Sequence, residues 1–221
     1  HGEVFASKIP PVSGTVFPMR LEARKPEKLT IFTNHPAESD DLARIRNYEI
    51  RSNGKIYRIY RGDTHRHTEY SADGNNDGSQ NDTYRYAMNA ADLDYLGMSE
   101  HHNGGGPNVE YINWLLQQRV DVFTVPGRFV PLYGYERGLG YPQGHRNVMF
   151  AKRGNPTFPT LPNEDEVGAK PLFEYLKRLG GISIPHTSAT GMGTDWRDND
   201  PEAEPLVEIY QGDRVSAEYE G

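Results

Sequence analysis

Apolar positions along the chain fall into short runs at two periods, and the runs alternate. Residues 1–48 carry prolines at 10, 11, 18, 26 and 36 with little sustained periodicity, so they read as an irregular or β-rich leading arm. From Tyr48 the stretch "NYEIRSNGKIYRIYRGD" alternates on both sides of Asn53-Gly54, a dipeptide favoured in tight hairpin turns. Its second strand is expected to run from Lys55 to Arg61, directly into a pair of histidines. Asn81 and Asp82 offer N-caps for a helix with Tyr84, Ala87, Met88 and Ala91 on one face. A short strand, "DYLGMSEHH", follows, and then a helix over roughly Val109–Arg119, capped by Asn108, with Ile112, Leu115 and Leu116 as its apolar stripe. "FVPLYGYER" and "GHRNVMFAK" read as strands, Lys170–Leu179 as a helix stopped by Gly180-Gly181, and "ISIPHT" and "LVEIYQGD" as closing strands. Strands alternating with helices predict an α/β protein on largely parallel strands.

Composition narrows the choices. The 221 residues are enough for one sizeable core. A formal net charge of −7 repels a nucleic-acid backbone, so no long nucleic acid is expected as a partner. The absence of cysteine rules out disulfides and thiolate-bound zinc. No apolar run approaches the ~18 residues of a membrane helix, so no membrane span is expected.

Candidate chemistry sits at the strand ends. "GDTHRHTEYSADG" places His65 and His67 one residue apart among Asp63, Glu69 and Asp73. Histidines at i and i+2 of an extended segment share a face, as a metal pair requires. His101 ends the next strand, Glu136 the one after, and His186 follows "ISIP". In α/β barrels reactive groups gather at the C-terminal ends of strands, so these residues would converge. Imidazole mixed with carboxylate suits Zn, Mn or Fe(II). An acid in a strand as apolar as "PLYGYER" needs a cationic partner, because burying an unpaired carboxylate costs several kcal/mol, roughly.

The order of the motifs "DTHRHTEYSADG", "LDYLGMSEHHN", "PLYGYER", "GHRNVMF" and "ISIPHT", within residues 57–211, resembles the polymerase and histidinol phosphatase superfamily, the PHP domains. The likeness is greatest to a bacterial branch of uncharacterised, often exported members. It implies a distorted (β/α)7 barrel, with residues 1–48 as the arm and 49–221 as the hydrolase domain. It implies two to three divalent ions, Zn, Mn or Fe: His65 and His67 on a first, Glu136 bridging to a second held by His145 and His186, and Asp73 with His101 on a third. Asp63 and His102 are then expected to support the histidines. His65, His67 and Glu136 would be catalytic, with a metal-activated water attacking a small phosphomonoester or phosphodiester. Arg66, Arg137, Arg146 and Arg197, beside the motifs, are candidates for the phosphate oxygens, and "GMGTDWRDND" for a substrate loop around Trp196.

One departure matters. The family closes its site with an Asp-x-His on a late strand, and no such motif follows His186. The chain is therefore expected to be an N-terminal portion, incomplete at its C-terminal end, whose site is completed by a missing segment or a second chain. A first residue other than Met, together with the family likeness, favours a periplasmic or extracellular location. Rival readings are an amidohydrolase-type metal hydrolase and a non-catalytic scaffold or assembly subunit. Amidohydrolases share the H-x-H but usually bridge their metals with a carboxylated lysine.

Overall fold

The Asn-Gly dipeptide turns the chain as its chemistry demands. Asn53 and Gly54 both take positive φ, 48° and 76°, the pair of left-handed residues that a type I′ turn requires. They join β1 (Glu49–Ser52) to β2 (Lys55–Arg58) in an antiparallel hairpin. This is a computed structural model describing residues 35–71, 73, 77–102, 109–188 and 191–210. By internal contacts the chain divides into His1–Ala43 and Arg44–Gly221.

The leading arm lies outside the described residues up to position 34. Its end is not irregular: Glu38–Arg46 form helix α1. Glu38, Asp40 and Asp41 sit in its first turn and Arg44 and Arg46 in its last, the charge order that complements a helix dipole.

A curled five-stranded sheet in the form of a half-barrel follows, in the order β3 (Gly62–Arg66), β4 (Tyr95–Met98), β5 (Val130–Gly138), β6 (His145–Phe150) and β7 (Gly181–Pro185). The second strand of the hairpin stops at Arg58, short of the expected Arg61. From there the chain changes partners, since Arg61 O accepts from the backbone N–H groups of Asp94 and Tyr95 and Arg61 N donates to Asp94 Oδ2.

The expectation of largely parallel strands needs correction. β3, β4 and β5 are parallel, but β6 runs antiparallel to both of its neighbours. Residues 139–144 are too few for the crossover of about a dozen residues that a parallel return needs, so the chain can only double back. β7, reversed once more, runs in the direction of β5.

Among the described residues five helices accompany the sheet. α2 (Gln80–Asn89) is capped by Ser79, whose Oγ accepts from Asp82 N–H, rather than by Asn81 or Asp82 themselves. Ala91 lies past its end. α3 extends over Val109–Phe123, beyond the expected Arg119, and its expected cap Asn108 lies outside the described residues. These two helices cover one part of the outer sheet face through Tyr84, Ala87, Leu96, Met98, Ile112, Leu116 and Phe129. After the short α4 (Glu164–Val167), α5 (Lys170–Leu179) ends at Gly180 with φ 69° and buries Leu172, Phe173, Tyr175 and Leu176, the i, i+3, i+4 spacing of an apolar stripe. Its partners are Tyr135, Val148 and Phe150 on the outer face of β5 and β6.

The inner face is built differently. Cβ atoms on Gly97 and Gly134 would lie 2.9 Å and 2.3 Å from Met149 Sδ, so glycine at both positions lets that side chain lie across the sheet. Of "LVEIYQGD", expected as a closing strand over 206–213, residues 206–210 form no regular strand and 211–213 lie outside the described residues. Glu208 N–H reaches Pro185 O at 3.0 Å, and Leu206, Val207, Ile209 and Tyr210 stay exposed.

Candidate metal centre

The reversal of β6 explains how one residue at the start of a strand joins others at strand ends. β3, β4, β5 and β7 all point their C-terminal ends to the same edge, and an antiparallel β6 begins there. His145, first residue of β6, therefore pairs with Gly138 near the end of β5, and its carbonyl accepts from His186 N–H just past β7. His101 bridges Glu136 from the end of β4. A register shift between Asp63 and Arg66 marks β3 just where it carries His65 and His67; such irregularities re-aim side chains beside functional sites.

At the centre is Glu136, 1% exposed. Its Oε2 lies 3.0 Å from His67 Nε2 and 3.4 Å from His65 Nε2. Its Oε1 lies 2.7 Å from His145 Nδ1, 3.2 Å from His186 Nε2 and 3.6 Å from His101 Nδ1. The imidazoles of His65 and His67 bring their Nε2 atoms within 3.2 Å of each other. Asp73 completes the outer side with Oδ2 at 3.0 Å from His101 Nε2. Every metal-ligand candidate read from the sequence is thus in one cluster.

Behind this layer lie partners that sequence reasoning missed. His65 Nδ1 faces both carboxylate oxygens of Glu208, at 2.9 and 3.1 Å. His67 Nδ1 faces Ser71 Oγ at 3.0 Å, and Ser71 donates to Glu100 Oε2 at 2.6 Å. Buried Glu100 also accepts from the Thr68 hydroxyl. Glu208 follows no motif in its segment; Glu100 precedes His101, a signal that was visible but unassigned. The supporters expected instead do other things. Asp63 accepts from the backbone N–H of His65, and His102 contacts the Glu136 carbonyl and Arg137.

Two hydrogen bonds argue that the donor set fits a cation. A carboxylate such as Glu208 has no proton to give, so His65 Nδ1 must be the donor there. Ser71 spends its proton on Glu100, so His67 Nδ1 must donate to it as well. Neutral imidazoles would then aim two Nε2 lone pairs at each other and at Glu136 Oε2, an arrangement that only a proton or a metal ion between them can hold. The protonation balance agrees. Burial pulls the His65 pKa down, but hydrogen bonds to Glu136 and Glu208 outweigh it and push it up to about 9. Burial would raise the Glu136 carboxyl, yet hydrogen bonds from His145, His186, His65 and His67 hold it well below the usual carboxylate range. Burial keeps His186 below its ordinary value despite Glu136. Burial and then the Arg137 charge hold His102 down to about 4, so it is neutral at pH 7. The groups His65–His67–Glu136, Glu136–His145–His186, His67–Asp73–His101 and His65–His186–Glu208 each place their donor atoms close enough to hold an ion. A cleft of about 550 Å³ opens beside them, lined by Asp63, Arg66, Asp77, Tyr95 and Tyr210 as well as the H-x-H pair.

Three arginines expected to hold substrate lie elsewhere. Arg137 and Arg146 immediately follow Glu136 and His145, and strand alternation turns them to the opposite face. Arg137 is 2% exposed, donates to Phe158 O and lies over the Phe158 ring. Arg146, also 2% exposed, is bound to Glu204 at 2.6 Å over Phe173. Arg197 is clasped by Asp195 in a separate surface groove with Lys170 and Lys177. In the "GMGTDWRDND" stretch, Gly191 O accepts from Tyr141 N–H and Asp195 N–H donates to Pro142 O.

No family model matches the chain, and no curated protein matches it either.

Proposed function

We propose that the chain is a metal-dependent phosphoesterase of the PHP type, its half-barrel forming part of a distorted (β/α)7 barrel, acting on a small phosphomonoester or phosphodiester. The observation that carries this reading is the convergence of His65, His67, His101, His145 and His186 on the single buried carboxylate of Glu136. That donor set, without thiols or a lysine at its centre, suits two to three Zn, Mn or Fe(II) ions and speaks against the amidohydrolase alternative. His65 and His67 with Glu136 would hold one ion, Glu136 with His145 and His186 a second, and Asp73 with His101 a third. Bound there, such ions would supply an activated water near neutral pH and positive charge for the phosphoryl oxygens.

The chain's own residues set the stage for that chemistry. Glu136 gathers five imidazoles around its carboxylate and would be the anion shared by ions held there. His67 and Asp73 line the cleft, so substrate would enter from the β3 side. Arg66 alternates with His65 on β3, yet it stays part-exposed, lies 3.6 Å from Asp77 and lines the cleft, and it is the residue we assign to the non-bridging phosphate oxygens. Among the described residues no helix is long and apolar enough to cross a membrane.

The test begins with metal content, by elemental mass spectrometry on protein purified without chelators or affinity metal. Two to three equivalents are expected. Loaded protein should hydrolyse members of a phosphomonoester and phosphodiester panel and leave amides intact, and His65→Ala or Glu136→Ala should abolish turnover. Hydrolysis of amides alone, or unchanged turnover in both variants, would sink the reading. Substoichiometric metal would leave the scaffold alternative in front.

A further inference from the structure

The H-x-H pair presents Nε2 to Glu136 and turns Nδ1 away from it, and each Nδ1 meets a polar partner other than Glu136. For His65 that partner is Glu208, with both oxygens within 3.1 Å. For His67 it is Ser71, which passes the contact on to buried Glu100 and also accepts from His101 N–H at 3.1 Å. The partners come from separate elements: Glu208 from the segment that crosses the end of β7, Glu100 from the end of β4. Two imidazoles that could each rotate about χ2 or exchange tautomers are thus set the same way by independent means.

We infer that Glu208 is a positioning residue, holding His65 as the Nδ1–H tautomer with Nε2 toward Glu136, and that Glu100 does the same for His67 through Ser71. This rests on the metal site proposed above but not on phosphoesterase activity. Outer carboxylates of this kind orient a metal-binding imidazole and raise its basicity. The assignment gives residues 206–210 a role, because they bring a carboxylate to the first pair of histidines from behind.

The experiment uses the full chain with 15N-labelled histidine and Zn2+ alone. Long-range 1H–15N correlation spectra report the tautomer of each imidazole, and competition with a chromophoric chelator reports affinity. Wild type should show both His65 and His67 as Nδ1–H tautomers with Zn2+ bound. In Glu208→Ala the His65 signal should lose that signature while His67 keeps it, and Zn2+ affinity should fall roughly 10- to 100-fold. Ser71→Ala should do the reverse, altering His67 and sparing His65. Glu208→Asp should recover part of the affinity, which a loss of packing alone would not allow. If Glu208→Ala does not fold, Glu208→Gln replaces it, with a smaller shift confined to His65. Wild type that binds no Zn2+ would overturn the metal reading and this assignment with it. Wild type that binds Zn2+, with Glu208 variants unchanged in His65 tautomer and within about twofold in affinity, would overturn this assignment alone.

Discussion

Neighbouring residues on β5 and β6 have opposite fates. Glu136 and His145 face inward, to a polar cluster of imidazoles and carboxylates; Arg137 and Arg146, one position along, face outward into the apolar layer under α5. Both faces are buried and both hold charge, but they solve the problem differently. The outer charges have partners from within the chain: Arg146 pairs with Glu204, whose Oε1 also accepts from Ser183, and Arg137 donates to the Phe158 carbonyl and lies over the Phe158 ring. The inner cluster places three lone-pair donors against one another and is settled only by something added, a proton or a metal ion. Charge that is self-compensated holds a fold together. Charge that is left to be compensated binds a ligand.

That contrast can be broken from the inner side first. Glu136→Gln removes the anion shared by five imidazoles while keeping its shape, and metal content should drop from two to three equivalents to below one. The loss in affinity should exceed the roughly 10- to 100-fold that outer partners cost. Elemental analysis of the dialysed variant checks this, and retention of full metal would contradict the central place given to Glu136.

On the outer side the expected effect is on stability. Arg146→Met strands Glu204 in the interior and should cost about 3–5 kcal/mol in denaturant unfolding. Metal per folded chain should stay at the wild-type level, and a second change, Glu204→Leu, should restore much of the loss. Loss of metal with no loss of stability would reverse the roles assigned to the two faces.

A smaller effect sharpens the account of the inner cluster. In the metal-free protein His65, with its pKa raised to about 9, is protonated at pH 7. Metal binding must displace that proton, so calorimetry in buffers of different ionisation enthalpy should show proton release near neutrality that fades as pH rises through 9. The sign for stability is the same. Protonated His65 stabilises the metal-free fold fully below its ordinary value of 6.5, and the contribution is lost as pH rises through 9. A metal-free protein that grows more stable across that window would contradict it.

The smallest expected effect belongs to Arg197→Ala. The side chain is 81% exposed and pairs with Asp195, so metal content and turnover should not change measurably. A several-fold rise in KM would return it to the substrate site.

Much of this was legible along the chain. Asn53-Gly54 specified its turn because few other dipeptides tolerate two successive left-handed residues. The stripe Leu172, Phe173, Tyr175, Leu176 closed by Gly180 specified α5. His65, His67, His101, Glu136 and His186 stood out because polar side chains at the ends of apolar strands are costly to bury unless they meet one another or a cation. What was hidden depended on pairing across the sheet. His145 begins its strand, and local pattern alone gives no reason for it to join residues that end theirs. Arg137 and Arg146 looked like neighbours of the site because proximity in sequence ignores alternation. Glu208 could not be found, since its only qualification is contact with a residue 143 positions away.

The sequence by itself determined which residues could bind a metal and which segments could be strand or helix, because side-chain chemistry and local periodicity are properties of neighbouring positions. Only the tertiary structure decided that β6 runs backward and that Glu208 and Glu100 stand behind the histidines. Those outcomes follow from strand direction and register, and both are set by which distant segments can pair and bury their faces together.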